Sequence, residues 1–397
     1  MTGVSDLPRL PFERPSVLDI SPLYRQFQLD GSLRRVVTPA GDTAWLATRY
    51  DHVRALYVHP ALGRSHPEPD RAAKFLAATQ LGGPIGDSQT EQAEHSRMRA
   101  TLSKSFSARR MEDIRPGVEA IVDELLSALE EQGPPADLQE GFCFPLPARV
   151  ICELLGVPFA DQENFRAWAD GALHMHDPSH ARESLERLDS YMGALIDEKR
   201  LRPGDDMISD VVAAAGGGRL FERQVTQLVV ALFLGGHETT VARLGFGALF
   251  LLTLDGQRRA LQENPALIAQ VVEEVLRMAV PGLGLIPRYA TADIDIDGTT
   301  IAAGDLVLLG NGAANRDPSM FVDPDRFDAT RASNQHVAFG YGPRFCLGAG
   351  LARVELNCAL GRLFARFTSL RLAVPIEDLR LRDDVFTGGL VSLPVEW

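Results

Sequence analysis

The stretch from Glu222 to Leu254 sets the terms for the rest of the chain. It reads as one long helix, apolar nearly all the way round. The runs Leu228–Leu234 and Leu244–Leu252 are interrupted only by small residues. A helix without a polar face has to be surrounded. Neither run reaches the ~18 to 20 residues that a membrane span requires, so the surroundings must be protein. Composition can supply them: 45% of the 397 residues are hydrophobic and 23% are charged, a balance that buries a large core.

The remaining periodicity is mostly helical. From about 94 to 282 it follows the helical pattern, and Val118, Ile121, Val122, Leu125 and Leu129 mark one apolar face. Pro265 to Val280 is a further helix, with Pro at its start and Pro281 after its end. Val36–Thr38 and Ala44–Tyr50 flank a turn at Pro39–Asp42 and predict a hairpin. The period shifts toward two over Asp293–Thr300 and Thr300–Leu309, predicting small sheets. No repeat, long linker or shift of composition divides the chain. The expected fold is mainly α with small segregated β-sheets, in one domain over 1–397 on which residues 1–35 pack as an N-terminal extension.

The net charge of −13 argues against nucleic acid or an anionic membrane as partner. The N-terminus is polar and proline-rich, without the apolar core of an export signal. Cys143, Cys152, Cys346 and Cys358 are therefore expected as reduced thiols in the cytoplasm. Lysine occurs only at 74, 104 and 199, so nearly all of the 40 basic residues are arginine. That points to GC-rich coding, not to chemistry.

Chemistry concentrates at Phe339-Gly340-Tyr341-Gly342-Pro343-Arg344-Phe345-Cys346-Leu347-Gly348. A cysteine ends a glycine-rich turn and opens a helix through about 367. The helix N-terminus and Arg344 favour its thiolate. Gly340 and Gly342 permit backbone conformations that a flat cofactor pressed on the loop would demand, and Gly348 leaves room for close approach. The run matches the F-x-x-G-x-[H/R]-x-C-x-G signature, and the chain resembles the cytochrome P450 family. Three more motifs fall in that family's order, and the resemblance covers roughly 36 to 397.

The resemblance implies the P450 fold and haem b (iron protoporphyrin IX), with Cys346 as axial thiolate and metal ligand. Phe339, Gly348 and Gly236 would lie against the haem. His95 and Arg99 (the H-x-x-x-R of His95-Ser96-Arg97-Met98-Arg99), Arg288 and Arg344 would hold its propionates. Gly235-Gly236-His237-Glu238-Thr239-Thr240 would be the oxygen-activating kink of the long helix. Gly236 would open it, and Glu238 and Thr239 would supply protons to bound dioxygen. An acid inside an apolar helix is costly without a role. Glu274 and Arg277, one helical turn apart, would pair with Arg326 in Pro324-Asp325-Arg326-Phe327 to support the fold. Glu91-Gln92-Ala93-Glu94 stands where relatives often show Asp-Pro-Pro, so the preceding loop departs from the common pattern.

The implied activity is a monooxygenase inserting one atom of O2 into an organic substrate. Electrons would come from NAD(P)H through a ferredoxin reductase and an acidic ferredoxin. Arg97, Arg99, Lys104, Arg109, Arg110 and Arg115, with Arg353, Arg362 and Arg366, would form a basic patch for that ferredoxin. The pocket would be lined by Leu81, Ile85, Val230, Leu234, Leu283, Leu285, Ile286, Phe386 and Leu390. Such a wall suits a bulky, mostly apolar molecule, by analogy a polyketide, macrolide or terpenoid, acted on by a monomer. Two other readings stay open: a peroxygenase using hydrogen peroxide directly, and a non-catalytic haem sensor. Other motifs fail. His237-Glu238 lacks the second histidine of a zinc helix, because position 241 is Val. Asp293–Gly298 opens like a calcium loop, but its twelfth position is Gly304. His174-Met175-His176 has no carboxylate or thiolate at useful spacing.

Overall fold

A computed structural model describes residues 6–31, 33–77, 82–158, 161–216 and 222–397. The helices described are α1 Pro22–Asp30, α2 Tyr50–Val58, α3 Glu91–Leu102, α4 Ala108–Asp113, α5 Arg115–Gln132, α6 Pro145–Leu155, α7 Gln162–Ala172 and α8 Pro178–Leu201. They continue as α9 Met207–Gly216, α10 Glu222–Gly236, α11 Glu238–Thr253, α12 Asp255–Glu263, α13 Ile268–Met278, α14 Asn311–Ala314 and α15 Ala349–Arg366. The strands are β1 Arg34–Val37, β2 Thr43–Ala47, β3 Leu62–Gly63, β4 Ala136–Asp137, β5 Leu285–Ala290, β6 Ile294–Ile296, β7 Thr299–Ile301, β8 Leu306–Gly310, β9 Arg371–Leu372 and β10 Pro394–Glu396.

The helix expected over Glu222–Leu254 is interrupted at His237, whose φ of −88° and ψ of −81° separate α10 from α11. Two glycines, Gly235 and Gly236, weaken the helix there. The hydroxyls of Thr239 and Thr240 donate back to the carbonyls of Gly235 (2.7 Å) and Gly236 (3.1 Å), a bond that bends helices. Past the break, α11 is enclosed almost entirely. Gly247 allows this: a Cβ there would stand 2.9 Å from Leu360 Cδ1 on α15 and 3.2 Å from Val275 Cγ1 on α13. One large apolar cluster joins α5, α6, α8, α10, α11, α13 and α15, and two smaller clusters lie around the sheet.

The largest sheet runs in the order β1-β2-β8-β5-β3, and β2 pairs with β8 in parallel. The predicted hairpin is β1–β2, and the alternating stretches become β6–β7 and β8. β4, β10 and β9 form a separate sheet. The helix predicted over Pro265–Val280 begins with a 3-10 turn at Pro265–Leu267 and ends at Met278.

Glu274 and Arg277 on α13 are both fully buried, and Arg277 Nε and Nη2 donate to the two Glu274 oxygens at 2.8 and 2.7 Å. Arg277 also donates to the carbonyls of Asn315, Pro324 and Arg326. Glu274 accepts from the Asp328 amide (2.8 Å), Asn334 Nδ2 (3.0 Å) and Arg331 Nε (3.4 Å). The third partner therefore differs from expectation. Arg326 enters only through its carbonyl, and the guanidinium facing Glu274 belongs to Arg331. Carbonyls of Val322 (2.6 Å) and Arg326 (3.1 Å) hold that side chain inward.

Candidate active site

Phe339–Gly348 closes on itself. The Cys346 amide donates to Phe339 O at 2.8 Å and the Phe345 amide to Gly342 O at 3.0 Å. Gly340 and Gly342 have φ of 73° and 70°, a region that disfavours side chains. A Cβ on Gly342 would also meet Val58 Cγ1 at 2.6 Å. Cys346 is the one exposed cysteine of the four. Protein closely packed about the sulfur nonetheless pushes the thiol up. The Gly348 amide, Arg99 and Arg353 pull it down. The cation expected at the sulfur, Arg344, is turned instead to Glu91. Arg353, held by Glu273 at 2.6 Å, lies 4.8 Å over the Phe339 ring and so fixes that ring beside the loop.

Behind the loop stands a ring of cations. Arg64, His95 and Arg288 each feel the charge of neighbouring guanidiniums, Arg344 in every case, and Glu91 is the carboxylate among them. Burial pushes His95 down to about 4, reinforced by Arg344 and Arg99. Burial, then Arg64 and Arg344, lower Arg288 to about 10. Burial would raise the Glu91 carboxyl, but bonds from Ser65 and from the amides of Arg64 and Ser65, with the charge of Arg344, hold it below its ordinary value. Arg99 Nη1 donates to Phe345 O at 2.8 Å and ties α3 to the cysteine loop. Four guanidiniums around one carboxylate leave room for further negative charge. Open space lies nearby: a Cβ built on Gly348 would meet no atom within 4 Å.

A model of the family described as cytochrome P450 matches residues 179–378. Pentalenolactone synthase of Streptomyces exfoliatus is 44% identical over 398 residues, spanning 99% of this chain and 100% of that protein. Mycinamicin IV hydroxylase/epoxidase of Micromonospora griseorubida is 39% identical over 397 residues, 98% of each. Among solved structures, the putative thioether synthase SgvP of griseoviridin tailoring matches with a TM-score of 0.92 at 36% identity, covering 98% of this chain and 100% of that one.

The chain belongs to the cytochrome P450 family. It is a monooxygenase of that family, which inserts one oxygen atom of O2 into an organic substrate, and its fold is the P450 fold. P450 enzymes carry haem on a cysteine thiolate, and the residues present fit that group. The four guanidiniums around Glu91 offer charge for two propionates, Cys346 is exposed, and Gly348 leaves the space beside it open. Among the described residues of this P450, no helix is long and apolar enough to cross a membrane.

The broken helix offers two different faces. Ala231, Gly235 and Thr239, four residues apart, are exposed on helices otherwise largely enclosed. A Cβ on Gly235 would meet nothing, whereas one on Gly236 would strike Ile151 Cδ1 at 2.8 Å. The open glycine of this P450 is thus Gly235, and Gly236 packs on α6. Glu238 points elsewhere. It is fully buried and lies 3.4 Å from Arg382 Nη1 and 3.5 Å from the Thr387 hydroxyl, which donates to it.

The expected pocket residues divide. Leu285 belongs to a buried cluster by the sheet, against which Leu283, Phe386 and Met175 pack half-buried. Val230 and Leu390 lie inside the main core, and Leu234 packs against it. Ile286 packs on the third cluster, and Ile85 is half-buried, with its amide bonded to Arg64 O at 2.9 Å. Leu81 lies outside the described residues. The basic patch is largely matched by carboxylates. Arg110 pairs with Asp205 (3.1 Å), Arg115 with Glu112 (2.5 Å), Arg362 with Glu119 (2.7 Å) and Asp123 (2.8 Å), and Arg366 with Glu130.

Sequence reasoning did not single out Arg64, Arg382 or Asp170. Arg64 carried a signal, an arginine after an apolar pair and a glycine in Leu62-Gly63-Arg64. Arg382 and Asp170 carried none.

Proposed function

We propose that Cys346 is the axial ligand of haem b. In this reading the enzyme works in the cytoplasm as a monomer, and an acidic ferredoxin relays electrons from NAD(P)H through a ferredoxin reductase. The carrying observation is the cluster of four guanidiniums, Arg64, Arg99, Arg288 and Arg344, with the neutral His95, around the Glu91 carboxylate and beside the one exposed cysteine. When bound, the haem supplies the iron at which dioxygen is reduced, and thiolate ligation favours O–O cleavage.

The chain's own residues do the rest. Arg64, His95, Arg99, Arg288 and Arg344 hold the two carboxylates and fix the orientation of the flat group. The Gly348 amide bonds to the sulfur of Cys346, and Arg99 and Arg353 add positive charge near it, which favours the thiolate. Thr239 presents its hydroxyl on the open face, parked on Gly235 O, where it can turn and pass a proton. Glu238 is the acid that resupplies it. The half-buried Leu283, Phe386 and Met175 form one apolar wall, fit for a bulky molecule with little charge. Relatives include an epoxidase of the polyene macrolide antibiotic pimaricin and a hydroxylase/epoxidase of mycinamicin IV. A secondary metabolite of comparable bulk is the substrate class that this wall suits.

The test is spectral. The reduced carbon monoxide complex should show the red-shifted Soret band of a thiolate haem. Cys346→Ser should lose that band, and Cys358→Ser should keep it. Retention in both variants sinks the assignment.

A further inference from the structure

Glu238 lies in a cluster with more acid than base. One guanidinium, Arg382, reaches three carboxyls: its Nη1 is 3.4 Å from Glu238 Oε2, its Nη2 is 3.3 Å from Asp170 Oδ2, and its Nε is 3.7 Å from Asp384 Oδ1. His237 Nδ1 stands 3.4 Å from the other oxygen of Glu238, and both residues are fully buried. Every element packed there contributes: α7 gives Asp170, the helix break gives His237, and the C-terminal loop gives Arg382, Asp384 and Thr387. Asp170 Oδ1 and Glu238 Oε2 both lie 3.4 Å from one nitrogen, Arg382 Nη1. Two carboxylates crowded on one nitrogen favour a proton held on one of them. Only one of the pair meets water, since Asp170 keeps 30% of its side-chain exposure and Glu238 none.

We propose that Asp170 is a positioning residue for oxygen activation: it holds the proton of the Asp170–Glu238 pair, takes it from water, and passes it to Glu238. In the transfer, the O–H bond on Asp170 breaks and one forms on a Glu238 oxygen, which goes from carboxylate to acid. Asp170 is left as a carboxylate against Arg382 and is reprotonated by water. No electrons move. The affinity of Asp170 suits the task. Burial first, then the neighbouring Glu238, push its carboxyl up to about 7 against the pull of Arg382 and His237. A donor poised near the working pH is the efficient one.

This rests on Glu238 acting as the acid behind Thr239, and the experiment separates the two ideas. It uses the haem-loaded enzyme with a surrogate ferredoxin and reductase, and dioxygen as the only acceptor. The first readout is infrared. Wild type labelled with 13C at aspartate carboxyls should show a label-shifted carboxylic acid band that titrates away through about pH 7. Asp170→Asn should lack it. The second readout is NAD(P)H-driven oxygen consumption, which in wild type should fall as pH rises through the same step. In Asp170→Asn it should be about tenfold lower on the acid side and flat through the step, and Asp170→Glu should restore the slope. No titrating aspartate band in wild type overturns the proposal without need of any variant. So does a wild-type pH profile in Asp170→Asn, since the proton would then be held but not delivered. If Glu238→Gln slows consumption while Asp170→Asn does not, only this inference fails. If Glu238→Gln changes nothing, the role of Glu238 fails with it.

Discussion

Glu274 and Glu238 are both fully buried acids, on helices that pack against each other, and their surroundings differ in charge. Glu274 faces two guanidiniums, an amide N–H and a side-chain amide. Glu238 shares its one guanidinium with two other carboxyls, and one of its oxygens has no hydrogen-bond partner. The first arrangement is satisfied at every lone pair, which rigidifies. The second is short of positive charge, with Arg382 shared among three carboxyls. A buried acid is scaffold when the donors around it are complete and a working group when they are not.

The strongest way to break that contrast is at Arg277. Arg277→Ala strands Glu274 and should cost about 3–5 kcal/mol, read as a lower unfolding midpoint and little haem-loaded protein. Arg331→Ala removes the longer contact and should cost about 1–3 kcal/mol. Arg326→Ala keeps the carbonyl that matters and should stay within about 0.5 kcal/mol. Equal losses at Arg331 and Arg326 would refute the inward placement of Arg331.

Glu238→Gln should behave in the opposite way. The isostere relieves acid crowding, so the unfolding midpoint should hold or rise, while turnover should drop at least tenfold. A variant that unfolds as readily as Arg277→Ala would make the two acids alike. The cluster also has a pH signature. An acid raised in the folded state adds stability that is full below its ordinary 3.8 and lost as pH rises through about 7. Denaturant midpoints should decline across that window, and Asp170→Asn should flatten the decline.

Gly342→Ala would place a side chain at a φ of 70° and against Val58. It should cost about 1–2 kcal/mol, seen in the unfolding midpoint, with the thiolate band retained. The smallest effect belongs to the proposed ferredoxin face, where carboxylates already match most arginines. Arg110→Glu should raise the ferredoxin KM about two- to fivefold, as for an exposed pair. A hundredfold rise would mean that Asp205 does not hold Arg110 in solution.

Much of this was legible because it is local. Pro265, the Pro39–Asp42 turn and the glycines around Cys346 act on the backbone within a few residues, and the predicted helix, hairpin and loop follow. Even the break at His237 has its cause in Gly235, Gly236 and the two threonines. What stayed hidden depends on which distant groups meet. The motif Pro324–Phe327 offered an arginine at the right place, but the carbonyls of Val322 and Arg326 turn Arg331 inward instead. Asp170 and Arg382 lie 212 residues apart, and neither has a local signal. Apolar character does not tell how deeply a side chain is buried, so Val230 and Leu390, inside the main core, looked like the half-buried Leu283. The basic patch was counted without Glu119, Asp123, Glu130 and Asp205, which arrive from other elements or other turns.

The end of α7 is stitched to the C-terminal loop. The Phe386 amide donates to Leu173 O at 3.0 Å, the Met175 amide to Asp384 O at 2.7 Å, and His176 Nε2 meets Asp383 O at 2.9 Å. These two stretches therefore form one structural unit. A loop from a relative grafted over 382–390 would arrive without the strand edge that receives 173–176, and its new side chains would be aimed by the wrong backbone. Chimeras that exchange both stretches together should keep their aim. Natural variation in what such enzymes accept is then expected to come in matched pairs of insertions, one after α7 and one near the C-terminus.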